Sequence, residues 1–140
     1  MKLFLGLITA IVLSSAAFGQ DADWKLYSSV DGVEIYTMET DCYAPNIPDQ
    51  KAIIIKVVNT TKTDLKVEWD QAIWYNDKLV TDNVSDGEHH MTVEVEKGSS
   101  EQGDCEVPYG ALYLYKDFIT YQANTKLTNF ELQNIKVTRL

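Results

Sequence analysis

Two adjacent histidines, His89 and His90, are the only imidazoles in the chain, and acids stand close by at Asp82, Asp86 and Glu88. Residues of these types can hold a divalent metal, or they can serve a small hydrolase in which a carboxylate-oriented histidine acts as general base. Neighbouring strand residues point to opposite faces, however, so the pair shares one ion only where a loop bends both inward. The plainer reading is an exposed polar loop. Read as a calcium loop starting at Asp82, the same stretch puts Asp86 and Gly87 at the fifth and sixth positions. Val84 and Val93 then fall where oxygen ligands are needed, so the match fails. The chain contains no G-x-S-x-G, no H-E-x-x-H and no glycine-rich phosphate loop. No catalytic residue, metal site or cofactor site is read from these patterns.

The second reactive pair is Cys42 and Cys105. How they are read depends on the compartment, and residues 1–19, MKLFLGLITAIVLSSAAFG, address it. A lysine, an apolar run from Leu3 to Leu13 and small residues before Gln20 make a cleavable secretory signal. The apolar run is about eleven residues, whereas a spanning helix needs roughly 20. No later stretch approaches that length, so no membrane span is expected. Nor is a lipid-anchored form, because the first cysteine lies far beyond the cut. The expected mature unit is a single domain over 20–140 in a secreted or periplasmic setting. There, two cysteines default to a structural disulfide. Closing a loop of 63 positions is worth about 4 kcal/mol in chain-entropy terms. A free catalytic thiol is the alternative.

Charge narrows the partners. The chain holds 12 basic against 21 acidic residues, a net charge of −9. Loss of Lys2 with the leader makes the remainder more acidic still. Nucleic acid and anionic membrane surfaces would be repelled rather than attracted. Solubility is the plain meaning of such a charge.

Aromatic residues are the stronger lead, with eight tyrosines and three tryptophans. Trp24 and Trp69 fall on apolar faces and are expected in the core. Tyr113 and Tyr115 alternate with Leu112 and Leu114, so one face of that segment would display a tyrosine pair. Trp74 and Tyr75, beside a turn, would extend it into a binding patch of Trp74, Tyr75, Tyr113 and Tyr115. Rigid amphipathic rings suit a sugar, a peptide or a partner protein. Coverage of both strand faces by the fold is the competing reading.

The elements that must carry these residues are written in two-residue alternation. Residues 24–39 form a hairpin about Asp31-Gly32. Residues 40–50, with Pro45 and Pro48, form a loop. Lys51 to Asn59 is apolar on both faces, as in a central strand. Leu65, Val67 and Trp69 alternate with Lys66, Glu68 and Asp70, and a second hairpin turns at Asn76-Asp77. Met91, Val93 and Val95 mark a half-buried strand, and Lys97 to Asp104 reads as a flexible loop. In the last segment Phe130 and Leu132 share one parity but Ile135 and Val137 the other, which predicts a β-bulge near Gln133-Asn134. No useful helical period occurs after Gln20. Asn59-Thr60-Thr61 and Asn83-Val84-Ser85 match the glycosylation sequon but read as ordinary turns. The fold expected is all-β, an antiparallel immunoglobulin-like sandwich of seven or eight strands, with a small β-barrel as the alternative.

Residues 24–36, WKLYSSVDGVEIY, resemble the opening of bacterial START-type lipid-binding domains, which would imply a carrier with an internal pocket for lipid or another small ligand. The signal ending FGQ, the NTTKTDLKVEW segment and the closing FELQNIKV are similar to small secreted sandwich proteins of Gram-negative bacteria. That resemblance implies a location and a fold but no activity. The function expected is non-catalytic binding of an envelope protein or glycan. The carrier and a hydrolase using His89 or His90 stand as alternatives.

Overall fold

The computed structural model describes residues 23–81 and 87–140; the leader read over 1–19 and the segment 82–86, with its sequon and part of the attempted calcium loop, lie outside them. Among the described residues every regular element is a strand. In chain order they are β1 (Lys25–Val30), β2 (Val33–Cys42), β3 (Gln50–Asn59), β4 (Leu65–Tyr75), β5 (Lys78–Leu79), β6 (His90–Val95), β7 (Ser100–Gln102), β8 (Tyr113–Phe118) and β9 (Leu127–Arg139). They form two antiparallel sheets, as expected for a sandwich. The first runs β1-β2-β3, and β7 and β8 both pair with β3. The second has β4 at its centre, flanked by β9 on one edge and by β6 and β5 on the other. The hairpin expected over 24–39 is present as β1 and β2.

Local chemistry sets the turns. Asp31 and Gly32 have φ of 48° and 80°, and Asn76 and Asp77 have 49° and 64°. Two positive φ values in a two-residue loop suit the right-handed twist of the strands they join. The core lies where the inner faces meet: Val33 and Ile35 of β2, Ile53, Ile55 and Val57 of β3, Leu65, Val67, Trp69 and Ile73 of β4, with Leu132 of β9. Trp69 is fully buried, as its alternation foretold.

Parity slips do specific work. Between Glu68 and Asp70 the β9 partner jumps from Lys136 to Gln133, and Asn134 takes φ 54°. This is the predicted bulge, and it lets Phe130, Leu132, Ile135 and Val137 all pack on the same core. A second register shift, at Leu26/Ser28 in β1, re-aims Tyr27. Its hydroxyl accepts the Leu132 amide proton at 2.8 Å and its ring stacks on Phe130 at 6.0 Å, linking the two sheets at their edge.

Two expectations change and one holds. Lys97 to Asp104 is not all loop: Ser100–Gln102 pairs with Lys56–Val58 as an edge strand. Its side chains are all exposed, so pairing rests on the backbone and leaves no hydrophobic pattern to read. Trp24 is half-buried on the outside of the first sheet, with the Lys56 ammonium 4.3 Å from its ring centre. Asn59 is buried, donating to the Thr63 and Val95 carbonyls and accepting from the Thr61 amide and hydroxyl. Its sequon is therefore a structural turn, as read.

β3 is covered on both faces. Its outer face carries Ala52 and Ile54, which pack with Cys42 and Tyr113. Cys42 and Cys105 are bonded, with S–S 2.03 Å and Cα–Cα 5.3 Å, and no described cysteine is free. The expected disulfide is therefore present and the thiol alternative is removed. Between β7 and β8 the chain makes a loop whose two ends meet at one residue: Gly103 N–H donates to the Ile55 carbonyl, and Ile55 N–H donates to the Leu112 carbonyl, both at 3.0 Å. A Cβ on Gly103 would lie 2.2 Å from the Leu112 oxygen, so only glycine fits. Gly103→Ala is expected to cost about 1–3 kcal/mol, the usual range for overpacking. Gly110→Ala, whose Cβ would meet nothing closer than 3.9 Å, should stay within about 0.5 kcal/mol of wild type. Urea unfolding of the two variants checks the difference.

Candidate aromatic binding cleft

At the Tyr75 end of β4 the sandwich opens into a cleft of about 860 Å³. That lies inside the usual span of small-ligand sites, about 300–1,000 Å³. Its floor comes from the inner parity of β4, Gln71, Ile73 and Tyr75, and from Leu114 of β8. One wall is the pinched loop, through Tyr109 and Gly110; the other is the segment after β8, from Tyr121 to Thr125. Glu88, His89 and Met91 complete the rim.

Rings dominate the lining. Tyr75 and Tyr115 stand 6.2 Å apart between centroids, Tyr115 and Phe118 5.1 Å, and Phe118 and Tyr121 4.4 Å. Tyr109 meets Tyr113 edge-on at 5.9 Å. These are distances at which ring quadrupoles attract. Tyr115 is fixed by donating its hydroxyl proton to the Thr125 carbonyl at 3.1 Å, and Gln71 reaches the Ala111 carbonyl at 3.4 Å. Burial, with Tyr109 alongside, pushes the Tyr113 phenol up to about 12. Burial and Tyr109 raise Tyr75 as well, and burial, Asp117 and the neighbouring tyrosines raise Tyr115. These three phenols therefore stay neutral hydrogen-bonding groups throughout the physiological range.

Of the four aromatic residues singled out in sequence, three line this cleft and Trp74 does not. Trp74 has the parity of Glu68 and Asp70 because β4 runs unbroken from Leu65 to Tyr75, so Tyr75 turns in and Trp74 turns to the outer face. Tyr113 lines the cleft but is only 3% exposed. It is not displayed on a free face, because the disulfide and Ile54 cover that side of the sheet. Tyr109, Phe118 and Tyr121 were missed. They lie in or beside loops, outside any two-residue pattern, and the one clue was large aromatics in turn-rich segments.

The histidines diverge as strand geometry requires. His89 lines the cleft rim with Glu88, whereas His90 belongs to the outer face of the second sheet. There His90 Nδ1 lies 2.8 Å from Asp70 and Nε2 3.4 Å from Glu68, and Asn134 donates to the other Asp70 oxygen at 2.9 Å. Asp70, then Glu68, raise the His90 pKa above 6.5. His90 lowers Glu68 below 4.5, and Asn134 with His90 lowers Asp70 below 3.8. Among the described residues no group of three or more such ligands is arranged to hold a metal ion. Nor do they include a helix long and apolar enough to cross a membrane.

Compared with known proteins, the chain matches no family model, no curated protein and no solved structure.

The His90 cluster has a definite pH signature. The imidazolium adds stability below pH 6.5 that fades as pH rises through its raised pKa, and the carboxylates add stability that fades as pH falls through their lowered ones. The stabilisation of wild type over His90→Gln is therefore expected to be greatest between pH 4.5 and 6.5. Melting temperatures across pH check this, and a difference that grows above neutrality would contradict it. Exposure of the cluster keeps the effect small.

Proposed function

We propose that this protein is a non-catalytic binding module, secreted or periplasmic, that takes a protein or glycan of the cell envelope in its aromatic cleft. The observation that carries this reading is the continuous run of rings from Tyr75 through Tyr115 and Phe118 to Tyr121, beside the Tyr109–Tyr113 pair. Aromatic rings bring large contact area at little entropic cost, and their hydroxyls give direction. The secretory leader read over 1–19 and the disulfide support a non-cytosolic setting.

Two other readings are less well supported. A hydrolase would depend on His89 and Glu88 alone, because His90 is engaged on the opposite face and neither sulfur is a thiol. A lipid carrier calls for an enclosed aliphatic pocket, whereas this cleft is open and edged with Gln122, Asn124 and Thr125.

Hydroxyl-radical footprinting in the presence of a solubilised envelope extract tests the reading. Tyr109 and Tyr121, 67% and 52% exposed, are expected to become protected. Leu140, tied to Asp64 at the far end of β4, is expected to keep its labelling. Unchanged labelling at both tyrosines, or protection confined to the Leu140 end, would overturn the cleft as the binding surface.

A further inference from the structure

We infer that the ligand of this cleft is a neutral oligosaccharide, an inference that rests on the cleft being the binding surface. Three features of the lining converge on that class.

The first is shape. The rings of Tyr75, Tyr115, Phe118 and Tyr121 succeed one another at 6.2, 5.1 and 4.4 Å, each tilted to the next by 47°, 55° and 31°, so the lining offers a succession of ring faces rather than one. A succession of rings fits a chain of repeating units, each laying an apolar C–H face on a ring with its polar groups at the edge.

The second is hydrogen bonding. Tyr75, Tyr109, Tyr115 and Tyr121 all line the cleft, so several phenols share one small volume. Gln71, Gln122 and Asn124 add neutral amides, each with both donors and an acceptor. A hydrocarbon ligand would dehydrate these groups and return nothing, a net loss for each one left unpaired. A polyol returns a partner to each.

The third is charge. Among the described residues lining the cleft there is no lysine or arginine, and Glu88 is the one carboxylate. The whole chain carries −9. Phosphorylated, sulfated or uronic-acid ligands would find no lysine or arginine, only the His89 imidazole at the rim, and would enter against the protein's field. The lining thus selects hydroxyl-rich, uncharged chains and disfavours acidic ones.

The test is titration of the disulfide-intact protein, followed by the aromatic NMR signals of Tyr115, Phe118 and Tyr121. The probes are maltohexaose, cellohexaose, chitohexaose and mannohexaose, with hexagalacturonic acid as the anionic counterpart, N-phenyl-1-naphthylamine as the apolar one and a neutral decapeptide mixture. At least one neutral hexasaccharide is expected to shift these signals saturably, and hexagalacturonic acid to leave them unmoved. Tyr121→Ala, at an exposed ring, should weaken that binding at least tenfold without changing the melting temperature. Failure of all four neutral sugars, or equal binding of the acidic one, overturns the inference. If the naphthylamine or the peptides then saturate the same signals, the cleft reading survives and only the ligand class falls. If no probe moves them and footprinting also leaves Tyr109 and Tyr121 unprotected, both fall.

Discussion

Ile55 is the point on which the binding end of the molecule depends. Its side chain is fully buried between the sheets, and its backbone spends both of its hydrogen-bonding groups on the two ends of one loop, Gly103 and Leu112. β7 and β8 can therefore lie end to end along β3, and residues 104–111 are forced out as a compact excursion with its ends together. The disulfide from Cys105 to Cys42 ties that excursion to the outer face of the same sheet. A backbone pinch alone would leave the loop free to swing. With the covalent tie added, Tyr109 is held against Tyr113 and the wall of the cleft exists before any ligand arrives.

β3 must satisfy two packing problems at once, and the rest follows from how it does so. Ile53, Ile55 and Val57 face β4 across the sandwich, while Ala52 and Ile54 face outward and need cover of their own. Tyr113, Cys42 and the half-buried Trp24 and Cys105 provide it. Once Tyr113 is committed to that outer cluster, alternation turns Leu114 inward and places Tyr115 with Tyr113. Tyr115 then meets Tyr75 arriving from the opposite sheet, and Phe118 and Tyr121 continue the succession of rings. The cleft is thus a consequence of covering an unusually apolar strand. Such preorganisation favours binding, because little ordering entropy remains to be lost when a ligand arrives.

The parts legible in the sequence were those governed by local rules. Asp31-Gly32 and Asn76-Asp77 announced their turns because few residues tolerate positive φ. The bulge at Asn134 was visible because a period of two makes any slip obvious. The cysteine pairing needed only a compartment and a count of two. What stayed hidden was whatever depends on distant parts of the chain. Trp74 was placed in the patch with Tyr75 because both flank a turn, yet adjacent residues of one continuous strand cannot share a face. Tyr109 and Tyr121 lie in aperiodic segments, so nothing in their neighbours showed that they would stand on either side of one cleft. β7 carries Ser100, Glu101 and Gln102, and its pairing is purely a backbone matter.

The measurement that bears most directly on this picture is the set of ring-to-ring nuclear Overhauser contacts, recorded with the disulfide intact and again after its reduction under native conditions. Intact protein should show Tyr75–Tyr115 and Tyr109–Tyr113 contacts, matching centroid separations of 6.2 and 5.9 Å. Reduction should abolish the Tyr109–Tyr113 contact while sparing Tyr75–Tyr115, since only the first depends on the tied loop. Absence of the Tyr109–Tyr113 contact in the oxidised protein, or its survival after reduction, would contradict a cleft built on the Ile55 pinch and the Cys42–Cys105 tie.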